Sequence, residues 1–487
     1  MGYTKMWEKW KKKRRFGIVK RMDTKDVAKE IIRLAKAKGA EFAEVVVSQN
    51  EFSLKRIKDG QVDQPPAGEQ WTIDVALVKA GRKQAATFDN PLFAKDIIQK
   101  MLKQMEFLPL QDVFVPSEVF PPVAQPAAIY DELTARLKGE ILIETAKDIT
   151  AKLEKHNLAL AGKLAQSRGE TTYQNSLGTK QTAKYTLACA ALYAFDKNDS
   201  AISSYASSGG ASIAFIEQDK ERLLQELTQK CELQRAKKRI DLFANKKEGE
   251  DITIDVVFEP YFFAQLIDAL AFTFNGLQVE RGESFVSNKI GRRVTGENIT
   301  MLDTYNDPNN RGVGLPFDFE GRPRQPISLI KQGVAKTALY DAELAKTWKK
   351  PATGNALPPS YRSQGAIPFN VVVKGGNAPL AEIIQNCKQP TLWITKLHYL
   401  GIKHYQTATM TGIAQHGVFL VENGKVRGPV ENVRFEERIA DALSRVEAMS
   451  EPRLVFDPLD LTFPFSTVVP AAKIKQFRFV GSTSRTV

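Results

Sequence analysis

The sequence predicts an α+β fold, in which an N-terminal portion of helices and antiparallel sheet precedes a β-rich C-terminal domain. Helical and strand-like segments occur in clusters along the chain, without the regular strand–helix alternation of a parallel sheet. The chain has 487 residues, so we expect more than one domain, because a single hydrophobic core rarely extends beyond about 250 to 300 residues. Hydrophobic residues make up 43% and charged residues 26% of the chain, which is ordinary for a globular protein.

The first 21 residues are strongly basic, and we interpret them as a segment apart from the folded body. The segment MGYTKMWEKWKKKRRFGIVKR contains nine Lys or Arg and one Glu, so residues 22–487 retain +5 of the total formal charge of +13. It is either a basic tail or sequence upstream of a true start at Met22. The mild charge of the remaining chain does not favour nucleic acid as a partner.

Targeting signals and cysteines indicate the expected compartment. No apolar stretch of the signal-peptide type follows the basic run, and no run of about 20 apolar residues occurs. We therefore expect a cytoplasmic protein without a membrane partner. Cys189, Cys231 and Cys387 lie far apart, which excludes a disulfide framework and a CxxC metal site. We expect them to be buried as small apolar side chains.

Residues 22–106 are predicted to form a first α/β portion. An amphipathic helix begins at Asp23 or Thr24, which are both good N-cap residues, and stops at Gly39. The further elements predicted here are strands over 41–48, 52–60 and 70–81 and a helix from Asn90 to about Glu106.

Three further regions follow. The proline-rich stretch 107–126 is predicted to be a semi-rigid linker. The central region, 127–247, is predicted to hold a helix over 130–157, a hairpin turning at NSLG (175–178) and a charged helix over 217–244. The C-terminal domain, 248–487, is predicted to begin with the strand ITIDVVF and the apolar helix FEPYFFAQLIDALAFTF, and to end its family-like part with a helix over 439–449.

Motifs that carry chemistry are scarce. The HExxH pattern, in which two histidines one helical turn apart bind zinc, does not occur among the four histidines of the sequence. His398 and His404 lie six residues apart, on the same face of a strand, but no carboxylate or thiol adjoins them. SLIK fits the SxxK pattern through Ser328 and Lys331, although so short a pattern often arises by chance.

Glycine-rich turns are the most distinctive feature of the second half. Four segments are of this kind: NSLG (175–178), GESFVSNKIG (282–291), PFDFEGRP (316–323) and ENGKVRGPVEN (422–432). Taken separately, each is explained by a turn in which glycine supplies a positive φ or a close backbone approach.

Taken together, these turns and their flanking sequence resemble the TldD/TldE metallopeptidase family, whose TldE members are also called PmbA and "modulator of DNA gyrase". The resemblance extends from about Glu41 to Met449. Its most specific segments are FNGLQVERGESFVSNKIGRRV, FDFEGRPRQPISLIKQGV and TATMTGIAQHGVFLVENGKVRGPVENVRF.

The resemblance implies an α+β metallopeptidase built from two related chains that enclose a cleft for an extended peptide. TldD-type chains carry an HExxxH helix and a distal Cys that hold the metal, and TldE-type chains lack both. The positions of the first His, the Glu and the second His fall here on Asp268, Ala269 and Thr273, and no cysteine lies at 411–415. The resemblance therefore implies a TldE-like, non-catalytic subunit with no metal or cofactor of its own. Zinc is expected in an HExxxH-bearing partner.

Candidate substrate-binding residues come from the glycine-rich turns, because glycine-rich runs of this kind usually border a working site. They are Gly282, Ser284, Gly291, Asp318 and Gly321. For each glycine, turn geometry is an equally good explanation. Asp318 and Glu320 either cap backbone amides or face the cleft.

Two other function classes remain open at this point. The chain is alternatively a free-standing, homo-oligomeric peptide-binding protein without protease activity. It is otherwise an enzyme in its own right, through a metal site at His398, His404 and His416 or through Ser328 and Lys331 as nucleophile and base.

Overall fold

The computed structural model describes residues 22–63, 67–110, 114, 116, 118–137, 139–247, 249–307, 312–455 and 465–482. The basic segment 1–21 lies outside the described residues, as does part of the linker 107–126. The domain boundaries predicted above stay predictions.

One antiparallel sheet organises the first half of the described chain. Its strands lie in the order β4-β3-β1-β5-β6-β7, with β2 paired to the end of β1. The strands are β1 (Phe42–Lys58), β2 (Gln61–Asp63), β3 (Ala67–Lys79), β4 (Arg82–Phe88), β5 (Leu158–Asn175), β6 (Lys180–Asp196) and β7 (Ser203–Gly210).

Helices cover one face of this sheet. They are α1 (Thr24–Ala37), α2 (Ala94–Met105), α3 (Glu132–Arg136), α4 (Glu140–Glu154) and α5 (Ala214–Arg235), with short 3-10 turns at Pro91–Phe93 and Ala127–Ile129. Helices α1 and α2 bury apolar side chains against β1 and β3, and α4 and α5 do so against β5, β6 and β7.

The opposite face of the sheet packs on the second half of the chain. Side chains alternate along a strand, so Val45 and Val47 of β1 face the helices whereas Val46 faces the other way. Val46 shares a buried cluster with Tyr173 and with Phe319 from the second half. The two halves are therefore joined by an apolar interface.

Two further sheets form the second half. Their strands are β8 (Ile252–Phe258), β9 (Met301–Asp303), β10 (Ile327–Lys331), β11 (Val334–Ala335), β12 (Asn370–Val373), β13 (Thr391–His404), β14 (Thr409–Glu422), β15 (Lys425–Pro429), β16 (Val433–Arg438), β17 (Val446–Met449), β18 (Arg453–Val455), β19 (Ser466–Val469) and β20 (Ala472–Ser482). One sheet has the order β11-β10-β9-β12-β19-β18 and the other β13-β8-β20-β16-β14-β15. Pairing of β13 with β14 closes the second sheet on itself.

Short helices complete the second half. They are α6 (Pro260–Phe272), α7 (Gly276–Glu280), α8 (Ala342–Trp348), α9 (Leu380–Gln385) and α10 (Ile439–Leu443), with 3-10 turns at Pro359–Gln364 and Tyr405–Thr407. Helix α6 contacts strands of both sheets, β19 and β12 of the first and β13 and β8 of the second. It lies at the centre of the C-terminal core.

The structure confirms the α+β class and most of the predicted elements. Asp23 caps α1 by accepting a hydrogen bond from the Lys25 N–H (2.8 Å). The hairpin turn at 175–178 forms between β5 and β6, and the Asn175 side chain accepts hydrogen bonds from the backbone N–H groups of residues 177, 178 and 179.

Five predicted elements were wrong in extent. The helix predicted over 130–157 is two helices, α3 and α4. The strands predicted over 41–48 and 52–60 are one strand, β1, because pairing with β3 and β5 continues through the polar residues between them. The charged helix predicted over 217–244 ends at Arg235, because Ile240 forms an isolated β-bridge with Val430. The helix predicted over 439–449 ends at Leu443, because Val446–Met449 pairs with β20.

No helix in the described ranges is long and apolar enough to cross a membrane.

Candidate functional site

Helix α6 presents two different faces, and their difference locates the candidate site. Pro260 occupies its first turn, where a missing N–H costs nothing. Phe263, Ile267 and Leu270 lie on the buried face. Ala269 and Phe272, three residues apart, lie on a second face that is left partly open.

This open face borders a cavity of about 740 Å³ between the two halves of the chain. Val46 and Ser48 of β1 form part of its wall, together with Thr72 and Asp74 of β3. Five widely separated parts of the second half supply the rest: Ala269–Gln278, Phe319, Leu357–Ile367, Leu400–Tyr405 and Phe465. The cavity therefore exists only where the N-terminal sheet meets the C-terminal half.

The three positions at which the resemblance places metal chemistry have different surroundings. Ala269 lies in the cavity wall. The Asp268 carboxylate accepts a hydrogen bond from the Thr467 hydroxyl, and burial raises the pKa of Asp268 to about 7. Thr273 is buried and its hydroxyl donates to the Leu270 carbonyl oxygen (2.6 Å).

The predicted substrate-binding residues of the loop after α6 lie outside the cavity wall. Ser284 is buried, and its hydroxyl donates to the Thr273 carbonyl oxygen (2.5 Å). Gly282 (φ 78°) and Gly291 (φ 85°) are exposed, and a Cβ added to either would meet no atom within 4 Å. Both glycines have the left-handed backbone that turn geometry demands. Their role in substrate binding stays a prediction.

Asp318 and Gly321 belong to a tight turn that is packed against the N-terminal sheet. Asp318 Oδ1 accepts hydrogen bonds from the N–H groups of Glu320 and Arg322 (2.9 and 3.0 Å), and its Oδ2 accepts one from Ala356 (3.0 Å). Capping of backbone amides is therefore one role of Asp318. Gly321 has φ 74°, and a Cβ there would lie 2.5 Å from the Tyr173 ring.

A buried cluster of charges adjoins this turn. Arg362 forms ion pairs with Glu44 of β1 (3.2 Å) and with Glu320 (3.0 Å), and the Tyr173 hydroxyl donates to Glu44 (3.2 Å). Burial raises the pKa of Glu320, and the charge of the Arg362 guanidinium opposes this rise. We call Glu44, Tyr173, Glu320 and Arg362 the Arg362 cluster. It links the two halves beside the cavity.

The other candidate chemical groups are dispersed. His398 and His404 are exposed on β13, where register shifts interrupt the pairing between them. His416 accepts or donates a hydrogen bond with the Ser203 hydroxyl (2.9 Å), and burial lowers its pKa to about 4. Ser328 and Lys331 lie on β10, with Lys331 exposed. The described residues contain no group of three His, Cys, Asp or Glu side chains placed to hold a metal ion.

The three cysteines lie in the core, as the sequence predicted. Cys189, Cys231 and Cys387 are buried thiols, and burial raises the pKa of Cys231 to about 11. A thiol with so high a pKa is a poor nucleophile at neutral pH.

Sequence reasoning missed most of the cavity wall. A partial signal was present, because Ala269 and Phe272 share a helix face and Leu400 and Ile402 alternate along β13. No local pattern connects these residues with Asp74, which is remote in sequence. The Asp74 carboxylate accepts hydrogen bonds from the Ser360 N–H (2.8 Å) and the Thr87 hydroxyl (2.6 Å).

Known proteins are similar to this chain at two levels. A family model matches the C-terminal part of the sequence, and a solved structure matches nearly the whole fold. Residues 252–481 match the family described as PmbA/TldA metallopeptidase C-terminal domain. The structure of TldE from Thermococcus kodakarensis superimposes with a TM-score of 0.79, covering 93% of this chain and 100% of that chain at 19% identity. At this identity the likeness shows a shared fold.

Two relatives extend the comparison at the level of sequence. An uncharacterized protein of Methanocaldococcus jannaschii is 26% identical over 356 residues, which cover 71% of this chain and 77% of that protein. A metalloprotease TldD homolog of Buchnera aphidicola is 28% identical over 200 residues, or 40% of this chain and 39% of that protein. The similarity to the second relative therefore spans well under half of its length.

Proposed function

Residues 252–481 belong to the PmbA/TldD metallopeptidase family, as the sequence resemblance predicted, and from this premise we propose that the chain is a TldE-like subunit of a two-chain metalloprotease. The complex acts in proteolysis or in the processing of peptide precursors in the cytoplasm. A TldD-like partner holds the zinc through its HExxxH helix. This chain contributes part of the chamber that receives the peptide.

The observation that carries the proposal is the position of Ala269. It lies in the wall of the cavity, where the resemblance places the glutamate that acts as base. A methyl group neither binds a metal nor accepts a proton. The catalytic glutamate of the proposed complex therefore comes from the partner.

The neighbouring positions do not fit a zinc ion either. Zinc in proteins is bound by imidazole nitrogen, thiolate sulfur and carboxylate oxygen. Of the three positions, Asp268 alone has such a group, and its carboxylate accepts a hydrogen bond from Thr467. The Thr273 hydroxyl is directed to the Leu270 carbonyl oxygen. We assign no step of peptide hydrolysis to this chain.

A second candidate function is the free-standing peptide-binding protein, and one observation favours it. The cavity is lined by residues of a single chain, with strands β1 and β3 on one side and the C-terminal half on the other. This chain alone therefore supplies both sides of the wall. The two functions differ in whether the chain needs an HExxxH relative.

The test is to produce the chain together with an HExxxH-bearing relative from the same genome. We expect a stable complex by size-exclusion chromatography with light scattering, with zinc stoichiometric to the relative. Cleavage of a peptide substrate by the relative should rise at least tenfold when this chain is present. The proposal is wrong if no complex forms and the cleavage rate is indifferent to this chain.

A further inference from the structure

The cavity beside Ala269 has the size and the apolar wall of a ligand site. Its volume of about 740 Å³ lies in the range of roughly 300–1,000 Å³ that is typical of such sites. Its apolar lining includes Phe319, Leu357, Ile367, Leu400 and Ile402. A ligand with a large apolar group would cover this surface.

Three ring side chains that line the cavity are nearly half exposed. Phe272 is 45% exposed, Tyr361 46% and Tyr405 44%, although rings of this size usually bury much of their surface. All three border the cavity. Their exposed surfaces become covered if an apolar group enters between them.

The wall offers little to a charged ligand. Among the lining residues that the structure describes, Asp74 is the one carboxylate, and no lysine or arginine is present. Both Asp74 oxygens already accept hydrogen bonds, from the Ser360 N–H and the Thr87 hydroxyl. A carboxylate group entering the cavity would lose hydration without gaining an ion pair, and an ammonium group would find a single carboxylate, Asp74, which is 1% exposed. The cavity therefore selects uncharged groups.

One polar atom in the wall lacks a partner. The side-chain oxygen of Gln278, in helix α7, is buried and accepts no hydrogen bond from any described residue. A buried carbonyl oxygen without a donor is costly. It is satisfied by a ligand that brings an N–H group, which a peptide has and a fatty acid chain lacks.

We propose that this cavity binds a bulky uncharged side chain of a peptide, aromatic or branched aliphatic, while a peptide N–H donates to the Gln278 side-chain oxygen. The inference rests on the proposed function for its ligand, a peptide, and adds the class of side chain that this chain selects. Apolar surface of the peptide covers Phe272, Tyr361 and Tyr405. The buried hydrogen bond to Gln278 orients the backbone.

The first experiment measures peptide binding to the isolated full chain by isothermal titration calorimetry. The probes are capped pentapeptides, acetyl-Ala-Ala-X-Ala-Ala-amide, with Phe, Leu, Lys or Glu at X. We expect the Phe and Leu peptides to bind at least tenfold more tightly than the Lys and Glu peptides. Equal affinities for the four peptides would overturn the inference, as would tighter binding of dodecanoate than of the Phe peptide.

Two variants locate the binding in the cavity. Phe272→Lys should weaken binding of the Phe peptide at least tenfold, whereas Leu92→Lys should leave it unchanged. The pair is matched, because Phe272 is 45% and Leu92 55% exposed and Leu92 lies outside the cavity wall. An equal effect of the two substitutions contradicts the assignment.

The role of Gln278 has its own readout. Gln278→Leu removes the unpartnered oxygen, so the melting temperature of the free chain should stay the same or rise, while the affinity for the Phe peptide should fall about fivefold. Unchanged affinity would remove Gln278 from the inference.

These measurements use the chain without a partner, so they are independent of the complex. Selective peptide binding without complex formation would refute the proposed subunit role and leave the inference standing. Complex formation without selective peptide binding would refute the inference and leave the proposed subunit role standing.

Discussion

Two neighbouring regions between the N-terminal sheet and the C-terminal half are built in opposite ways. Strand β1 contributes to both through one face, with Glu44 in the Arg362 cluster and Val46 and Ser48 in the cavity wall. The 3-10 turn Pro359–Gln364 also contributes to both, since it carries Arg362 and the cavity residue Tyr361. The Arg362 cluster is charged and buried, whereas the cavity is mostly apolar and open.

The difference assigns a different task to each region. Arg362 has 9% of its side chain exposed, and its partners Glu44 and Glu320 have 2% and 4%. Buried charges are tolerated only when they are paired, so this cluster permits one relative placement of the two halves. With that placement fixed, the adjacent apolar surfaces need not fill the remaining space. The cavity can then stay open.

The largest expected effect comes from breaking the charged region. Arg362→Met leaves Glu44 and Glu320 buried without their cation, which should lower the free energy of unfolding by about 3–5 kcal/mol. Denaturation with guanidinium chloride measures this change. The control is Arg293→Met, since Arg293 and its partner Glu297 are 50% and 80% exposed, and a loss of less than about 1 kcal/mol is expected there. Similar losses for both variants would show that the cluster does not join the halves.

The next effect concerns Asp268, which lies beside Ala269 on helix α6. Burial raises its pKa to about 7 in the folded chain, against roughly 3.9 for an unperturbed Asp. The folded chain therefore favours the protonated form. The stability from this group is fully present below about pH 4 and is lost as the pH rises through 7.

Asp268→Asn should remove this pH dependence. At pH 8 we expect the variant to be more stable than the unmodified chain by roughly 2–4 kcal/mol, from about 1.4 kcal/mol per pKa unit. The gain should shrink towards zero as the pH approaches 4. Urea denaturation at pH 4, 6 and 8 measures it. A constant difference across this range would contradict a raised pKa.

The smallest effect sharpens the contrast between the two faces of α6. Ala264 is 1% exposed in the core, so Ala264→Leu should overpack it and cost about 1–3 kcal/mol. Ala269 faces the cavity, so Ala269→Leu should change stability by less than about 0.5 kcal/mol. Thermal unfolding of the two variants makes the comparison. An equal loss would mean that the cavity wall is as tightly packed as the core.

Much of the fold was predictable, because its signals are local. Helix α1 was predicted from its N-cap and its apolar stripe, and the hairpin at 175–178 from its turn residues. The errors came where pairing with a remote strand overrode the local pattern. Val446–Met449 reads as the end of a helix in isolation, but it pairs with β20 and becomes a strand.

The candidate site was predictable only in part. The sequence directed attention to Asp268, Ala269 and Thr273, and the structure places one of these, Ala269, in the cavity wall. Ser284 and Asp318 were sensible candidates, and they hydrogen-bond to nearby backbone groups. Gln278 and Asp74 were not predictable as cavity residues, because the role of a single polar residue depends on neighbours that are remote in sequence.

The sequence by itself determined the fold class, the family of residues 252–481 and the identity of the residues at the three positions where the resemblance places metal chemistry. These depend on residue types and on short-range periodicity, which are readable along the chain. Only the tertiary structure decided that β1, α6 and β13 converge on one cavity and that Arg362 is buried with two glutamates. Burial and the meeting of remote segments arise from packing, which no local stretch of sequence encodes.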